Sequence, residues 1–143
     1  MAVRDPNRRN RRSLADLRAF ARAWGLLLAV DLGLRVFSFA QLERRLAPAP
    51  AGRTPEDAEE AAAGRLVWSV AAAARHHLYP MRCVPRALTL RWLLGRHGIP
   101  SELKIGVLRQ GDALTAHAWV ERAGRAIGEP AGIEERFAPL AAP

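Results

Sequence analysis

Apolar residues recur every three or four positions in the first third of the chain, the spacing of one face of a helix. The pattern runs through SLADLRAFARAWGLLLAVDLGLRVFSFAQLERRL, with apolar positions at Leu14, Leu17, Phe20, Ala21, Trp24, Leu27 and Leu28. Ser13 is suited to cap this helix, with Asp16 three residues later as an imperfect capping box. Because the segment is apolar nearly all round, it predicts a core-packed helix, kinked or split near Gly33, or else a docking surface for a protein or a membrane face.

A linker and a second helix follow. The segment LAPAPAGRTPED contains three prolines and small residues, a composition typical of a linker. We expect Thr54 to cap the next helix, with Pro55 at its first helical position and acidic residues in its first turn. This helix must end before Pro80. Its predicted apolar stripe is Leu66, Val67, Val70 and Ala74.

A third helix is predicted from Cys83 or Val84, because Pro85 is tolerated only in the first turn of a helix. After Gly98 the pattern alternates between polar and apolar residues, which indicates strands. The predicted strands are SELKIGVLR, AHAWVE and AIGEP, with a turn or short loop at QGDALT between the first two. In AHAWVE the pattern puts His117 and Trp119 on one face and Ala116, Ala118 and Val120 on the other.

Helices followed by an antiparallel meander indicate an α+β fold. A chain of 143 residues suits one domain with a modest core. We expect a basic mobile arm over residues 1–12 and a single domain over 13–143, with a helical part at 13–79 and a catalytic core at 80–143.

The net charge is +8, and it is concentrated at the start of the chain. Residues 1–22 contain seven arginines and two aspartates, so they carry +5 of that charge. The arm RDPNRRNRRS is either solvated or makes an electrostatic contact with an acidic partner, lipid headgroups or nucleic acid. No aromatic residue precedes Phe20, which weakens the nucleic-acid interpretation because single strands need stacking platforms.

A single cysteine, Cys83, excludes an intramolecular disulfide framework and a zinc site built from several thiolates. The start of the chain shows no secretory signal, so we expect a cytoplasmic protein in a reducing compartment. The predicted place of Cys83 at a helix N-terminus favours the thiolate, which is the nucleophilic form. The alternative is a buried structural cysteine, since free cysteines are among the most buried residues.

His117 is the best candidate for a general base that takes the thiol proton. Its alternative role is that of a core histidine bonded to a backbone carbonyl. The other three histidines, His76, His77 and His97, are expected at helix ends, where they face solvent or compensate the helix dipole and are not catalytic.

The segment CVPRALTLRWLLGRHGIPSELKIGV, followed by AHAWVE, IGEP and ERFAPL, resembles the B-type leader peptidase of lasso-peptide biosynthesis. That family is the microcin-processing branch of the transglutaminase-like superfamily. The resemblance implies a papain- or transglutaminase-like core in which the cysteine helix packs on a small antiparallel sheet. It also implies that Cys83 is the nucleophile and His117 the base. The family's third residue is an aspartate before a proline, where this chain has Glu129. Asp112 is a weaker candidate for that role, and a dyad without an acidic member is a further alternative.

The resemblance further implies that the protein removes the leader from a ribosomal precursor peptide, after which a lasso cyclase acts. The length leads us to expect the split form, which works with a separate leader-recognition protein. We expect no cofactor, no metal, no nucleic-acid partner and no stable membrane insertion. Two rival interpretations remain: a transglutaminase-like enzyme that forms or deamidates amides, and a non-enzymatic assembly module of the same pathway.

Overall fold

Helices precede a four-stranded sheet in the computed structural model, which describes residues 13–47 and 55–140. The predicted α+β fold class is therefore confirmed. The predicted arm over residues 1–12 and the expected cap Thr54 lie outside the described residues. The elements are α1 (Leu14–Val36), α2 (Phe39–Arg45), α3 (Glu56–Arg75), α4 (Cys83–Arg96), β1 (Glu102–Gln110), β2 (Ala113–Arg122), β3 (Arg125–Ile127), α5 (Ile133–Arg136) and β4 (Ala138–Pro139).

The first helix is longer than expected, because it runs unbroken past Gly33 to Val36. The segment is split as predicted, but a few residues after Gly33: the chain restarts at Ser38, whose hydroxyl accepts from the backbone N–H of Gln41 and caps α2. Gly33 serves the packing between the two helices. A Cβ there would lie 3.3 Å from Leu42, so its absence lets α2 approach α1 closely.

The helices α3 and α4 have nearly the predicted bounds. Pro55 occupies the cap position of α3 rather than its first helical position. Leu66 and Val70 are buried, as the predicted stripe requires. The helix α4 begins at Cys83, as predicted, and Gly98 follows it with φ +71°, the left-handed conformation that suits a helix end.

The four strands form one antiparallel sheet in the order β3-β2-β1-β4. The turn predicted within QGDALT is present but shorter than that segment, because only Gly111 and Asp112 separate β1 from β2. Gly111 has φ +60°, which a two-residue hairpin turn needs. The residues Ala113 to Thr115 therefore continue the ladder opposite β1.

The two faces of the sheet pack against different groups. The main core cluster combines side chains from α1, α3 and α4 with those on one face of the sheet, including Ala118 and Val120. On the other face, Trp119 packs with Ile133 and Phe137. The alternation predicted for β2 is confirmed, and it leaves His117 on the Trp119 side of the sheet.

Among the described helices, none has both the length and the apolar character that crossing a membrane requires.

Candidate active site

Cys83 is the first residue of α4 and its side chain is half-buried. Arg82 before it has extended backbone, with φ −70° and ψ 164°, and its carbonyl accepts from the N–H of Arg86. Two prolines explain this start. Pro80 disfavours helical conformation in the residue before it, and Pro85 fits only in the first turn of a helix. The sulfur thus lies where a helix leaves its backbone N–H groups without intrahelical partners.

The segment that leads into α4 is tied to α1 by a polar contact. The hydroxyl of Tyr79 donates to Oδ2 of Asp31 at 2.7 Å, and Arg35 lies 3.0 Å from the same oxygen. The Tyr79 hydrogen bond and the Arg35 guanidinium hold the pKa of Asp31 below its usual range, against the opposing effect of burial. The same hydrogen bond raises the pKa of Tyr79. This contact fixes the chain four residues before Cys83.

His117 and Glu129 are in direct contact. The Nε2 atom of His117 lies 3.1 Å from Oε2 of Glu129, and both side chains are only about one-fifth exposed, at 22% and 18%. A carboxylate accepts hydrogen bonds and cannot donate them. The contact therefore places a proton on Nε2 and leaves Nδ1 as the nitrogen that can accept one.

Glu129 reaches this position because β3 ends earlier than predicted. The strand stops at Ile127, and Gly128 turns the chain with φ +71°, so Glu129 follows the strand instead of belonging to it. A Cβ at Gly128 would also lie 2.9 Å from a methyl group of Val67 on α3. The turn thus requires glycine for its backbone conformation and for its close approach to α3.

Aromatic rings hold the imidazole of His117. Its centroid lies 6.1 Å from that of Trp119, in a stacked arrangement, and 5.4 Å from that of Phe137. Gly106 pairs with His117 across the ladder, and a Cβ there would come within 2.8 Å of both Phe137 and Trp119. The missing side chain at Gly106 makes room for these rings.

A cavity of about 30 Å³ brings Cys83 and Glu129 together. Val67 and Val70 of α3 line it as well, and Arg86 contributes a positive charge. His117 is not among the described residues that line the cavity, and its ring forms no hydrogen bond with the thiol. Glu129 and Trp119 both contact the imidazole and line the cavity of the sulfur, and of the two Glu129 is the one that forms a hydrogen bond with the ring.

Asp112, the weaker candidate for the acidic residue, is remote from the imidazole. It lies in the hairpin turn, five positions before His117 along the chain. At about 3.3 Å per residue of strand, the two backbones are about 16 Å apart, too far for a direct hydrogen bond. Of the two acidic candidates, only Glu129 contacts His117.

The remaining histidines do not join this site, but one of them is placed differently from the prediction. His77 does not face solvent: its ring stacks on Trp24 at 4.6 Å, and both ring nitrogens are buried without a hydrogen-bond partner. His76 and His97 are exposed, as expected. Within residues 13–47 and 55–140, no three metal-binding side chains gather closely enough to hold an ion.

Sequence reasoning did not identify three residues that shape the site: Gly106, Phe137 and Arg86. A glycine inside a strand is a recognisable signal of a close approach. Arg86 follows Cys83 by three positions on α4, a spacing that places two helical residues on one face. Phe137 gave no comparable signal, because its position depends on the pairing of β4 with β1.

The part of the chain that carries Cys83, His117 and Glu129 also matches a known family. Residues 24–142 match the family model described as transglutaminase-like superfamily. The chain belongs to the transglutaminase-like superfamily. No curated protein and no solved structure matches it.

Membership of the transglutaminase-like superfamily indicates cysteine-peptidase or amide-forming chemistry in general. Both reactions begin with the transfer of an acyl group to a cysteine sulfur. They differ in what takes the acyl group afterwards, which is water in a peptidase and an amine in an amide-forming enzyme.

Proposed function

We propose that this protein is a cysteine peptidase that removes the leader from a lasso-peptide precursor. The observation that carries the proposal is the contact of Glu129 with His117, because it supplies the acidic member that the resembling peptidases have as aspartate. The position of Cys83 at the start of α4, on a cavity shared with Glu129, supports it further.

In the proposed mechanism, Sγ of Cys83 attacks the carbonyl carbon of the scissile bond while Nδ1 of His117 takes the thiol proton. The backbone N–H of Cys83 is one donor to the resulting oxyanion. The imidazolium then gives its proton to the leaving amine, and the carbon–nitrogen bond breaks to leave a thioester. Water attacks the thioester, His117 takes its proton, and the leader leaves with a free carboxylate as the thiol re-forms.

This mechanism requires the thiol and the imidazole to approach each other when substrate binds. Catalytic hydrogen bonds are often long without substrate and tighten in its complex. Glu129 supports the step in two ways: it fixes Nε2 as the protonated nitrogen, and its negative charge stabilises the imidazolium.

The proposed partners are a precursor peptide, a separate leader-recognition protein and a lasso cyclase. The resemblance to the split peptidases supports this set. We place the reaction in the cytoplasm, where a reducing environment keeps the sulfur of Cys83 as a thiol.

The test is cleavage of a precursor peptide with and without the recognition protein, at low and at high salt, followed by mass spectrometry. We expect little cleavage by the chain alone, and cleavage when the recognition protein is added. The products should be a leader with a free carboxylate and a core peptide with a free amine. Equal rates in all four conditions would contradict the need for a partner.

The mass of the products also separates hydrolysis from the transglutaminase-like alternative. Hydrolysis adds one water across the cleaved bond, whereas amide formation with an added amine joins that amine to the acyl fragment. Products containing the amine, without hydrolysis, would favour the amide-forming activity. Deamidation would instead leave the peptide chain intact.

A further inference from the structure

A second concave surface lies far from Cys83, where α1 crosses α3 and the end of α4. It is a groove of about 330 Å³, lined by Ala15, Arg18 and Arg22 of α1, Leu66 of α3, and Leu93 and His97 of α4, among others. Cys83 and His97 stand 14 positions apart on and just after α4, which corresponds to about 20 Å at 1.5 Å per residue. A ligand in this groove leaves the Cys83 cavity open.

Positive charge is concentrated at the rim of the groove. Arg18 and Arg22 are one turn apart on α1, and both are exposed. The guanidinium groups of Arg22 and Arg96 each lie 5.6 Å from the ring centroid of Trp92. Cations from two helices therefore contact the same indole ring. None of the three arginines forms an ion pair with a carboxylate of the described residues.

Like charges one turn apart on a helix repel each other, so this arrangement does not serve the stability of α1. Other arginines of the chain are paired: Arg122, for example, contacts Glu59 and Glu60. An acidic ligand would relieve the repulsion at the rim of the groove.

The walls of the groove are mostly apolar. Ala15 and Leu66 belong to them, and the short side chain of Ala15 lets a ligand approach the helix closely. An apolar floor with a cationic rim fits an amphipathic helix that carries acidic residues beside its apolar stripe.

We propose that this groove docks an acidic amphipathic helix of a partner peptide or protein. Nucleic acid fits the groove less well, because the walls of the groove offer apolar surface. In addition, guanidinium groups already contact the ring of Trp92, on which a base would otherwise stack. The inference rests on the groove alone and does not depend on the activity proposed for Cys83.

The experiment measures binding to the full chain by fluorescence anisotropy. The probe is a labelled 16-residue peptide of glutamate, leucine and alanine, with leucines at helical spacing on one face. A matched peptide has glutamine in place of every glutamate, and a 20-nucleotide oligo-dT provides the nucleic-acid arm. The variant is Arg18→Gln with Arg22→Gln, and its control is Arg44→Gln with Arg45→Gln, which removes the same charge from α2.

We expect the acidic peptide to bind the wild-type chain and to bind the Arg18/Arg22 variant about tenfold more weakly, the loss that two partly exposed charge pairs account for. The Arg44/Arg45 control should bind within about twofold of wild type, and high salt should weaken wild-type binding. Ala15→Trp, which fills the groove at an exposed helical position without changing charge, should also reduce binding.

Three results would overturn the proposal. The first is equal affinity of wild type and the Arg18/Arg22 variant, both shown to be folded by circular dichroism. The second is equal binding of the glutamate and glutamine peptides. The third is displacement of the acidic peptide by oligo-dT, which would assign the groove to nucleic acid.

Discussion

Glu129 has one methylene more than the aspartate of the peptidases that this chain resembles, yet its carboxylate lies within hydrogen-bond distance of His117. The extra length is accommodated because Gly128 turns the chain before it. The sequence indicated Glu129 as the acidic residue because of its place along the chain. The backbone of the turn at Gly128 explains how the longer side chain reaches His117. The left-handed conformation of Gly128 is therefore part of the site.

The role that we propose for Glu129 predicts a specific order of activities. Glu129→Ala should lower the rate of precursor cleavage by up to about 10⁴-fold, the size of loss found when the carboxylate that orients a catalytic histidine is removed. Glu129→Asp should retain more activity than Glu129→Ala. Asp112→Ala in the distant hairpin turn serves as the control and should behave as wild type. Full activity of Glu129→Ala would show that the cysteine and the histidine work without it.

Two glycines of positive φ give a matched pair for testing the turn before Glu129. Gly124→Ala should cost about 1–2 kcal/mol, because the left-handed conformation disfavours a side chain, and its Cβ meets nothing within 4 Å. Gly128→Ala should cost more, since its Cβ would also contact Val67 at 2.9 Å.

Urea unfolding of both alanine variants measures these costs in free energy. When Val67→Ala is combined with Gly128→Ala, the part of the free-energy loss that comes from the contact with Val67 should be recovered. The part that comes from the left-handed backbone conformation should remain. Equal losses for the two single variants would show that the approach of α3 to this turn has no energetic consequence.

At the scale of elements, the sequence predicted the helices and strands well where one signal dominates. Pro85 fixed the start of α4, and alternation separated the two faces of β2. Predicted boundaries were displaced where two signals compete. Gly33 indicated a kink or split in the first segment, but the capping box at Ser38 sets the split a few residues later. The loop between β1 and β2 was predicted too long, because the pairing of Leu114 and its neighbours with β1 is a tertiary effect.

The contact of Tyr79 with Asp31 predicts how the attachment of α4 to α1 depends on pH. The pKa of Asp31 is lower in the folded protein than its ordinary value of 3.8, so the stability from this group is present above that pH and is lost as the pH falls through the folded value. The pKa of Tyr79 is raised above 10.0, so its contribution is complete below pH 10 and is lost as the pH rises through the folded value.

Tyr79→Phe should therefore lower the urea midpoint at pH 7, where both contributions are present. The variant should also lose less stability than wild type between pH 7 and pH 3. Between pH 7 and pH 11 it should lack the part of the stability loss that comes from ionisation of Tyr79. Urea titrations at pH 3, pH 7 and pH 11 check these three statements. The same pH dependence in wild type and variant would show that the hydrogen bond does not stabilise the fold.

At the scale of the whole molecule, one core cluster joins the helix that carries Cys83 to the sheet that carries His117. Leu94 and Ile99 are buried in it with Ala118, so the packing of α4 on β2 sets how the two catalytic candidates are placed. Single residue types identified Cys83 and His117 from the sequence. Their relative placement depends on long-range packing, which local patterns do not contain.

The charge of the molecule also has an organisation that composition alone does not show. The sequence drew attention to the arginines before Ser13, whereas the fold places Arg18 and Arg22 at one groove and brings Arg96 of a second helix to the same indole ring as Arg22. This convergence could not be predicted from the sequence, because α1 and the end of α4 are about 70 residues apart in the chain.

The rate of leader removal by the Cys83→Ala protein tests most directly whether Cys83 performs acyl transfer with His117 as its base. The assay uses the precursor peptide and the recognition protein, with wild type, Cys83→Ala, His117→Ala and the double variant in parallel. We expect a loss of at least about 10³-fold for each single variant and no further loss for the double variant, because the two residues act as a unit. Cleavage by Cys83→Ala at a rate near that of wild type would contradict the acyl-transfer role of Cys83.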